Sequence, residues 1–237
     1  MIFENLSDFE LEKSFDQIMS SAYSVSFFTD WTETHRGNLW CKFRANEEIP
    51  QKIADAQPAT SKLHPIPTID PAAATEQFGE SGPWLDRLPH FKLDFTPSVG
   101  DEIQSEFFVA RTDAPAVISV LRKLSPRFRH MLWISEVRTV AADSLWMSTA
   151  FHRDSAAFHF TWKKSNFDPA VVQEIELHLR EFNYRPHWGK VFYADASYLK
   201  RVYPNFEKFI ALTKEIDTSG KFGNVFTDTL FASKLNA

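Results

Sequence analysis

Cysteine and glycine are both scarce in this sequence, and their scarcity excludes several kinds of site. Cys41 is the only cysteine among 237 residues. An intramolecular disulfide and a metal site made only of cysteines are therefore excluded. The seven glycines include no GxGxxG or Walker spacing. The sequence thus lacks the glycine-rich loop that cradles the phosphates of a dinucleotide.

An excess of positive charge and long apolar runs are also missing. The chain has 26 basic and 31 acidic side chains, a net charge of −5, which argues against nonspecific binding to nucleic acid or to an anionic membrane. No segment approaches the ~18–20 apolar residues of a membrane span. The first eight residues lack the basic start and apolar run of a signal peptide. We therefore expect a soluble, cytoplasmic protein without a transmembrane segment.

Aromatic residues are abundant, with 23 phenylalanines and seven tryptophans. Such a surplus indicates either a thick core or large surfaces that another molecule covers. The length suits one large domain or two small ones.

Hydrophobic patterns predict helices and strands that alternate only loosely. Ser7 and Glu10 suggest a capping box that opens a helix with an apolar stripe from Leu11 through Ala22. Asp168 and Pro169 suggest the start of another helix. Alternating segments predict strands at 23–30, 38–44, 103–109, 131–140 and 156–163, and a helix is expected at 113–124. These patterns favour a mixed or antiparallel sheet with helices packed on it, rather than a doubly wound fold.

Two regions differ in character from the rest. Residues 50–100 contain eight prolines, which predicts an extended but ordered segment, anchored by Phe78, Trp84 and Phe91. From about residue 184 onward the pattern predicts short helices, so we place a soft boundary near residue 183.

Three predicted strands each carry a polar pair at spacing two, which places both members on one face. The pairs are Gln104 with Glu106, Glu136 with Arg138, and His159 with Thr161. A sheet face with these side chains is suited to a molecule with many hydroxyl groups.

Plainer interpretations stand beside this one. Glu136 and Arg138 could form an exposed salt link, His159 could be a core or edge histidine, and Lys190 could be a surface lysine. Metal binding is not indicated, since the eight histidines form no HxxxH pair and no HExxH motif occurs.

Several phrases of the sequence are specific enough to indicate a family. They occur in the family's order and are Thr75-Glu-Gln-Phe-Gly, Gly82-Pro-Trp, Arg87-Leu-Pro-His-Phe, Gln104-Ser-Glu-Phe-Phe-Val, Ile134-Ser-Glu-Val-Arg-Thr-Val-Ala-Ala-Asp, Leu145-Trp-Met-Ser, Phe158-His-Phe-Thr-Trp-Lys, Arg185-Pro-His-Trp-Gly-Lys and Ser219-Gly-Lys-Phe-Gly-Asn. The chain resembles the second half of alditol and xylitol oxidases, which are vanillyl-alcohol-oxidase-type flavoproteins near the D-arabinono-1,4-lactone oxidases.

The resemblance implies an α+β fold: a broad, mainly antiparallel sheet flanked by helices, with a helical C-terminal tail. Residues 1–183 would form the substrate-binding cap domain, and 184–237 would pack on a flavin-binding domain that nothing in the chain matches. FAD would belong to the full-length family, and this chain alone would bind none. A separate flavin-domain chain or self-association would then cover exposed aromatics of the tail, with Trp188, Phe192, Tyr193 and Phe222 as candidates.

The resemblance also implies roles for particular residues. Arg138 and Lys190 would hold the reacting primary hydroxyl in an alkoxide-like form. Gln104, Glu136 and Thr161 would bind further hydroxyls, with His159 as a supporting contact and His187 close to the flavin ring. Hydride would pass from carbon 1 to the flavin, and dioxygen would then yield hydrogen peroxide and an aldose.

Two other functions remain open at this point. One is an aldonolactone oxidase from the neighbouring branch, which would take a sugar lactone instead of a polyol. The other is a non-enzymatic sugar-binding or interaction module that has kept only the cap.

Overall fold

An antiparallel sheet organises the chain. The computed structural model describes residues 1–92, 94 and 101–231, so the end of the proline-rich segment and the last residues of the tail lie outside the described residues. Within them, eight strands pair in the order β4-β1-β3-β2-β6-β7-β5-β8. The strands are β1 (Ile2–Ser7), β2 (Ser24–Thr29), β3 (Arg36–Lys42), β4 (Gln57–Pro58), β5 (Glu102–Ala110), β6 (Leu132–Val140), β7 (Ser155–Lys163) and β8 (Arg185–Pro186). Every neighbouring pair is antiparallel, which confirms the predicted α+β fold.

Eight helices are described, and all but one of them contribute residues to the core on one face of this sheet. They are α1 (Asp8–Lys13), α2 (Phe15–Met19), α3 (Trp84–Arg87), α4 (Ala114–Phe128), α5 (Pro169–Leu179), α6 (Ala196–Val202), α7 (Phe206–Ile216) and α8 (Val225–Phe231), of which α3 is the exception. The main core joins alternate strand residues such as Phe107, Phe158 and Phe160 to Val117 and Leu121 of α4. Because strand side chains alternate, the residues between them point to the opposite face.

The opening of the chain differs from the prediction of a single capped helix. Residues Ile2–Ser7 form a strand, and the helix that follows is interrupted at Ser14. Ser7 does cap α1, because its Oγ accepts the N–H of Phe9. Its own N–H donates to Asp55 Oδ1 instead of Glu10, so the reciprocal half of a capping box is not formed.

The proline-rich segment covers part of the second face of the sheet. Ala59, Ile66 and Ala74 are buried there against sheet residues that include Phe28 and Trp40. The predicted anchors were mostly wrong: Trp84 is 74% exposed and Phe78 49% exposed, while Phe91 packs beside His64. Small and aliphatic residues fit the shallow space above a sheet, and periodicity could not reveal them because the segment has little regular structure.

The tail continues from the edge of the sheet. β8 pairs with β5, and Tyr198, Leu199 and Tyr203 join the main core. Of the aromatics expected to be exposed, Tyr193 and Phe222 are exposed. Trp188 and Phe192, which were also expected to be exposed, are half-buried. Trp188 packs on Tyr203 with ring centroids 5.0 Å apart, and its Nε1 donates to the Met147 carbonyl.

A buried carboxylate of α5 fixes the start of the tail and should make stability depend on pH. Both oxygens of Glu176 accept the N–H of Tyr193 at 3.0 Å, and burial raises the pKa of Glu176 from 4.5 to about 7. The folded chain therefore holds this proton more tightly than the unfolded chain. Relative to Glu176→Gln, the free energy of unfolding of the unmodified chain should fall by about 3 kcal/mol as the pH rises from 4.5 to 7.

Urea unfolding at several pH values measures this difference. Glu174→Gln on the same helix is the matched control, because Glu174 pairs with the exposed side chain of Arg127 and should keep the pH dependence intact. A pH-independent difference between the unmodified chain and Glu176→Gln would contradict the assignment.

Candidate functional site

Polar side chains of three neighbouring strands meet on the sheet face opposite the main core. In the register of β5 and β7, Gln104 lies opposite Thr161 and Glu106 opposite His159. In the register of β6 and β7, His159 also lies opposite Glu136, and Arg138 lies opposite the small Ala157. The strand order β6-β7-β5 thus gathers the three polar pairs into one cluster.

Glu106 lies at the bottom of this cluster. Its side chain is fully buried. Oε1 accepts from Arg138 Nη2 at 2.6 Å, and Oε2 accepts from Lys190 Nζ at 2.6 Å. Burial opposes ionisation, but the charges of Arg138 and Lys190 outweigh it and hold the pKa of Glu106 below its ordinary value. The carboxylate is therefore ionised and joins two cations that come from different parts of the chain.

Glu136 is a second buried carboxylate, and the proline-rich segment helps to hold it. His90 Nε2 lies 3.3 Å from Glu136 Oε1 and 3.1 Å from Ser26 Oγ. Arg138 Nη1 lies 3.5 Å from Oε2. Burial disfavours the charge of Glu136, but contact with His90 and the charge of Arg138 overcome it, so its pKa falls to about 2. Glu136 is consequently an acceptor at any physiological pH.

His159 is neutral, and its hydrogen bonds indicate its tautomer. Burial and the nearby Lys190 lower its pKa to about 4. Gln104 Nε2 donates to Glu102 Oε1 at 2.7 Å, which turns Gln104 Oε1 toward His159 Nε2, 3.3 Å away. Because that oxygen can only accept, Nε2 carries the proton. Nδ1 is left as an acceptor, 3.9 Å from Glu136 Oε2.

The tail supplies one wall of the site. The N–H of His187 donates to the Glu106 carbonyl at 2.9 Å, and that of Val191 to the Gln104 carbonyl at 2.9 Å. The turn between them carries Lys190. His187 Nδ1 accepts the N–H of Gly189, and its ring stacks on Phe108 with centroids 6.4 Å apart. Burial lowers the pKa of His187 as well, so the imidazole is neutral at pH 7.

A cavity adjoins the cluster on the side of the proline-rich segment. Its volume is about 390 Å³, and its lining includes Ser26, His90, Glu136 and Arg138. This volume lies in the range of small-molecule sites. The cavity mouth therefore offers charged and neutral hydrogen-bonding groups to a small polar ligand.

All the residues predicted for the site except His187 have side chains in or beside the cluster, and His187 adjoins it through the chain. Sequence reasoning placed Glu106 on the polar face with Gln104 but gave it no role in the site, and it missed His90 and Ser26. His90 and Ser26 carry no comparable signal, because their contact spans 64 positions in the sequence.

The cluster is balanced in charge. Arg138 and Lys190 offset Glu106 and Glu136, while His159 is neutral. Such a site can donate strongly to one oxygen atom and accept from neighbouring hydroxyls without favouring a charged ligand. Among the described residues, no group of three or more histidine, cysteine, aspartate or glutamate side chains could hold a metal ion. No helix in the described ranges is long and apolar enough to cross a membrane.

The chain is similar in sequence to several known sugar and sugar-alcohol enzymes. An alditol oxidase of Streptomyces sp. is 43% identical over 213 residues, which are 90% of this chain and 51% of that protein. An L-gulono-1,4-lactone dehydrogenase of Mycobacterium tuberculosis is 31% identical over 47% of this chain and 25% of its own length. An L-gulonolactone oxidase of Mus musculus is 27% identical over 40% of this chain and 23% of its own length. The chain therefore spans about half the length of the alditol oxidase that it matches.

A family match covers the site itself. Residues 101–230 match the family described as D-arabinono-1,4-lactone oxidase. This range includes β5, β6, β7 and the turn with Lys190, which together carry most of the polar cluster. It confirms the resemblance that the sequence motifs indicated. Because the match extends over more than half of the sequence and through the strands of the site, the chain belongs to the D-arabinono-1,4-lactone oxidase family.

Proposed function

We propose that this chain is the substrate-binding half of an FAD-dependent oxidase that converts the primary alcohol of an alditol, such as xylitol, to an aldose. The observation that carries the proposal is the pair of cations, Arg138 and Lys190, fixed on the buried carboxylate of Glu106 beside a face of hydroxyl-binding groups. The similarity to an alditol oxidase over 90% of the chain supports it.

Arg138 and Lys190 act on the reacting oxygen. Their N–H groups donate to the primary hydroxyl oxygen, and their charges stabilise the negative charge that develops on it as its proton passes to the ionised Glu136. This charge is consumed when carbon 1 gives up hydride and the oxygen becomes that of the carbonyl group. Because both are already held by Glu106, little reorganisation is needed during the reaction. Glu136, ionised and fixed by His90 and Arg138, accepts a hydroxyl proton and orients the polyol.

The remaining polar groups bind the rest of the substrate. Thr161 offers a hydroxyl that can donate or accept, and Gln104 offers an amide. His159 Nδ1 can accept a hydroxyl that also contacts Glu136 Oε2, since these two atoms are 3.9 Å apart. A chain of hydroxyls satisfies these groups, whereas an apolar alcohol would leave them unpaired.

The chemistry of this donor set fits the substrate side of a flavin reaction. None of its side chains can itself accept a hydride. When bound, FAD supplies the redox chemistry, taking up hydride and returning electrons to dioxygen to give hydrogen peroxide. We propose that His187, stacked on Phe108 at the edge of the cluster, lies beside the flavin ring. The phosphates would be held by a flavin-binding half, since the chain has no glycine-rich loop.

The two parts of the chain would have different functions, one in binding the substrate and one in contacting the flavin-binding half. Residues 1–183 form the cap that binds the polyol, and 184–237 face the flavin-binding half. The tail exposes apolar side chains suited to such a contact, including Ile216, Phe222 and Val225. A second copy of the chain could cover them in the absence of that half, and light scattering distinguishes a dimer from a monomer.

A lactone oxidase is the second candidate, because the family description and two relatives name lactones. The polyol is favoured because the similarity to the alditol oxidase extends over twice as much of the chain as that to the lactone enzymes. A non-enzymatic sugar-binding module is the outcome to expect if no flavin-binding half restores turnover.

The deciding experiment combines this chain with a flavin-binding half, either fused or mixed. The first half of the Streptomyces alditol oxidase is a suitable source. Hydrogen peroxide release is then measured with xylitol and with L-gulono-1,4-lactone. We expect turnover of xylitol with a higher kcat/KM. Faster oxidation of the lactone would replace the proposal with the second candidate, and calorimetric binding of xylitol without turnover would favour the binding module.

A further inference from the structure

Glu106 has no direct part in the reaction proposed above, although it is the most deeply buried charge of the site. No part of its side chain is exposed. Each of its oxygens accepts a hydrogen bond of 2.6 Å from one of the two cations. It lies opposite His159 in the register of β5 and β7, so it is covered by the groups that would contact a polyol.

Lys190 depends on this carboxylate for its position. It follows the β8 strand in a turn, outside regular secondary structure. Within the described residues, the hydrogen bond to Glu106 Oε2 is the one that its Nζ makes. A lysine side chain has large rotational freedom when it is not held. Glu106 therefore holds Nζ at one of the many locations that the lysine side chain could reach, although the two residues are 84 residues apart in the sequence.

Arg138 depends on the same carboxylate. Its contact with Glu106 Oε1 is short, at 2.6 Å, whereas its contact with Glu136 Oε2 is 3.5 Å. Arg138 reaches Glu106 across the intervening strand β7. Without an anion between them, the two cations would repel each other and separate.

We propose that Glu106 is a positioning residue for catalysis, which sets the distance between Arg138 Nη2 and Lys190 Nζ so that both can donate to one substrate oxygen. This inference rests on the proposed function. Removal of any buried ion pair alters the stability of the fold. The proposal assigns to Glu106 a further effect, on the rate of the reaction step. Displacement of a reacting group by about 1 Å can lower a rate by about 10²-fold.

The test compares Glu106→Gln with the unmodified chain in the fused or reconstituted oxidase. The amide keeps the shape but loses the charge that holds both cations. We expect kcat for xylitol to fall at least about 20-fold, while KM changes less than about threefold because Gln104, Glu136 and Thr161 still bind the other hydroxyls. In a Lys190→Met background, Glu106→Gln should cost clearly less than in the unmodified enzyme, since one of its two targets is already gone.

Asp8→Asn is the matched control. Asp8 is also buried and paired with an arginine, Arg122, and with His35, but it lies outside the polar cluster. It should lower the melting temperature and leave kcat unchanged. If Glu106→Gln does not fold, Glu106→Asp takes its place, because it keeps the charge but withdraws the carboxylate by one methylene. We expect its kcat to fall at least about tenfold.

The results separate the two proposals. An unmodified enzyme that oxidises xylitol, together with a Glu106→Gln or Glu106→Asp variant of near-normal kcat, overturns the positioning role alone. An equal cost of Glu106→Gln with and without Lys190→Met also overturns it. An unmodified enzyme that oxidises no polyol overturns the proposed function, and the role of Glu106 falls with it.

Discussion

A purified preparation of this chain alone is expected to be colourless and to leave xylitol unoxidised. The polar cluster can bind and orient a polyol, but none of its side chains can accept a hydride. The seven glycines include no phosphate-binding loop, so the chain should not retain FAD during purification. A visible absorption spectrum, in which bound oxidised flavin would give a yellow band, and a peroxide assay with xylitol check both points.

The matched comparison is the same preparation after addition of a flavin-binding half. Protein-bound flavin absorption and peroxide production should then appear together. When free FAD is added to the chain and unbound FAD is removed by gel filtration, the protein should stay colourless and inactive. A yellow chain with near-stoichiometric flavin would contradict the prediction. It would mean that this half holds the cofactor by contacts other than a glycine-rich loop.

Arg138→Ala is expected to lower kcat/KM for xylitol by about 10²–10³-fold in the reconstituted oxidase, as for loss of one preorganised donor to a developing oxyanion. The change also removes a partner from the buried Glu106 and from Glu136. The free energy of unfolding should therefore fall by about 1–3 kcal/mol. Steady-state kinetics and urea unfolding measure the two effects separately.

Two further variants make this result specific. Arg138→Lys keeps the charge but loses the planar fork that reaches both carboxylates. Its activity should therefore lie between that of the unmodified enzyme and that of Arg138→Ala. Arg127→Ala removes an arginine whose side chain is 67% exposed and pairs with Glu174, and it should leave kcat/KM unchanged. Activity of Arg138→Ala within about threefold of the unmodified enzyme would remove Arg138 from the mechanism.

Much of the fold can be predicted from local sequence patterns, and where the prediction of strands fails, the cause is also local. The strands β5, β6 and β7 were predicted nearly to their ends, because alternation over nine residues is a strong signal. The first strand was missed because Ile2–Ser7 contains a break in register between Phe3 and Leu6, with Asn5 at a positive φ. That irregularity disrupts the alternation by which a strand is recognised.

The proline-rich segment shows a different limit. Its order was predicted from its aromatic residues, yet Trp84 and Phe78 face solvent. The side chain that contacts the site is His90, held between Ser26 and Glu136. A segment without periodicity gives no indication of which of its side chains face the sheet, since the packing partners lie far away in the sequence.

The sequence by itself determined which polar residues share a face. A strand places residues two apart on the same side, so the pairs Gln104 with Glu106, Glu136 with Arg138, and His159 with Thr161 follow from backbone geometry alone. The scarcity of glycine and the family motifs were likewise readable without a structure. These features depend on residues that are close together along the chain.

Only the tertiary structure decided that the three pairs form one cluster and that Glu106 is its centre. The order β6-β7-β5 is set by hydrogen bonding and burial between segments far apart in the sequence, and no local pattern specifies it. The return of the tail beside β5 then places Lys190 Nζ on the carboxylate of Glu106. The two cations come together because a buried carboxylate requires compensating charge, and that requirement arises only after the sheet has formed.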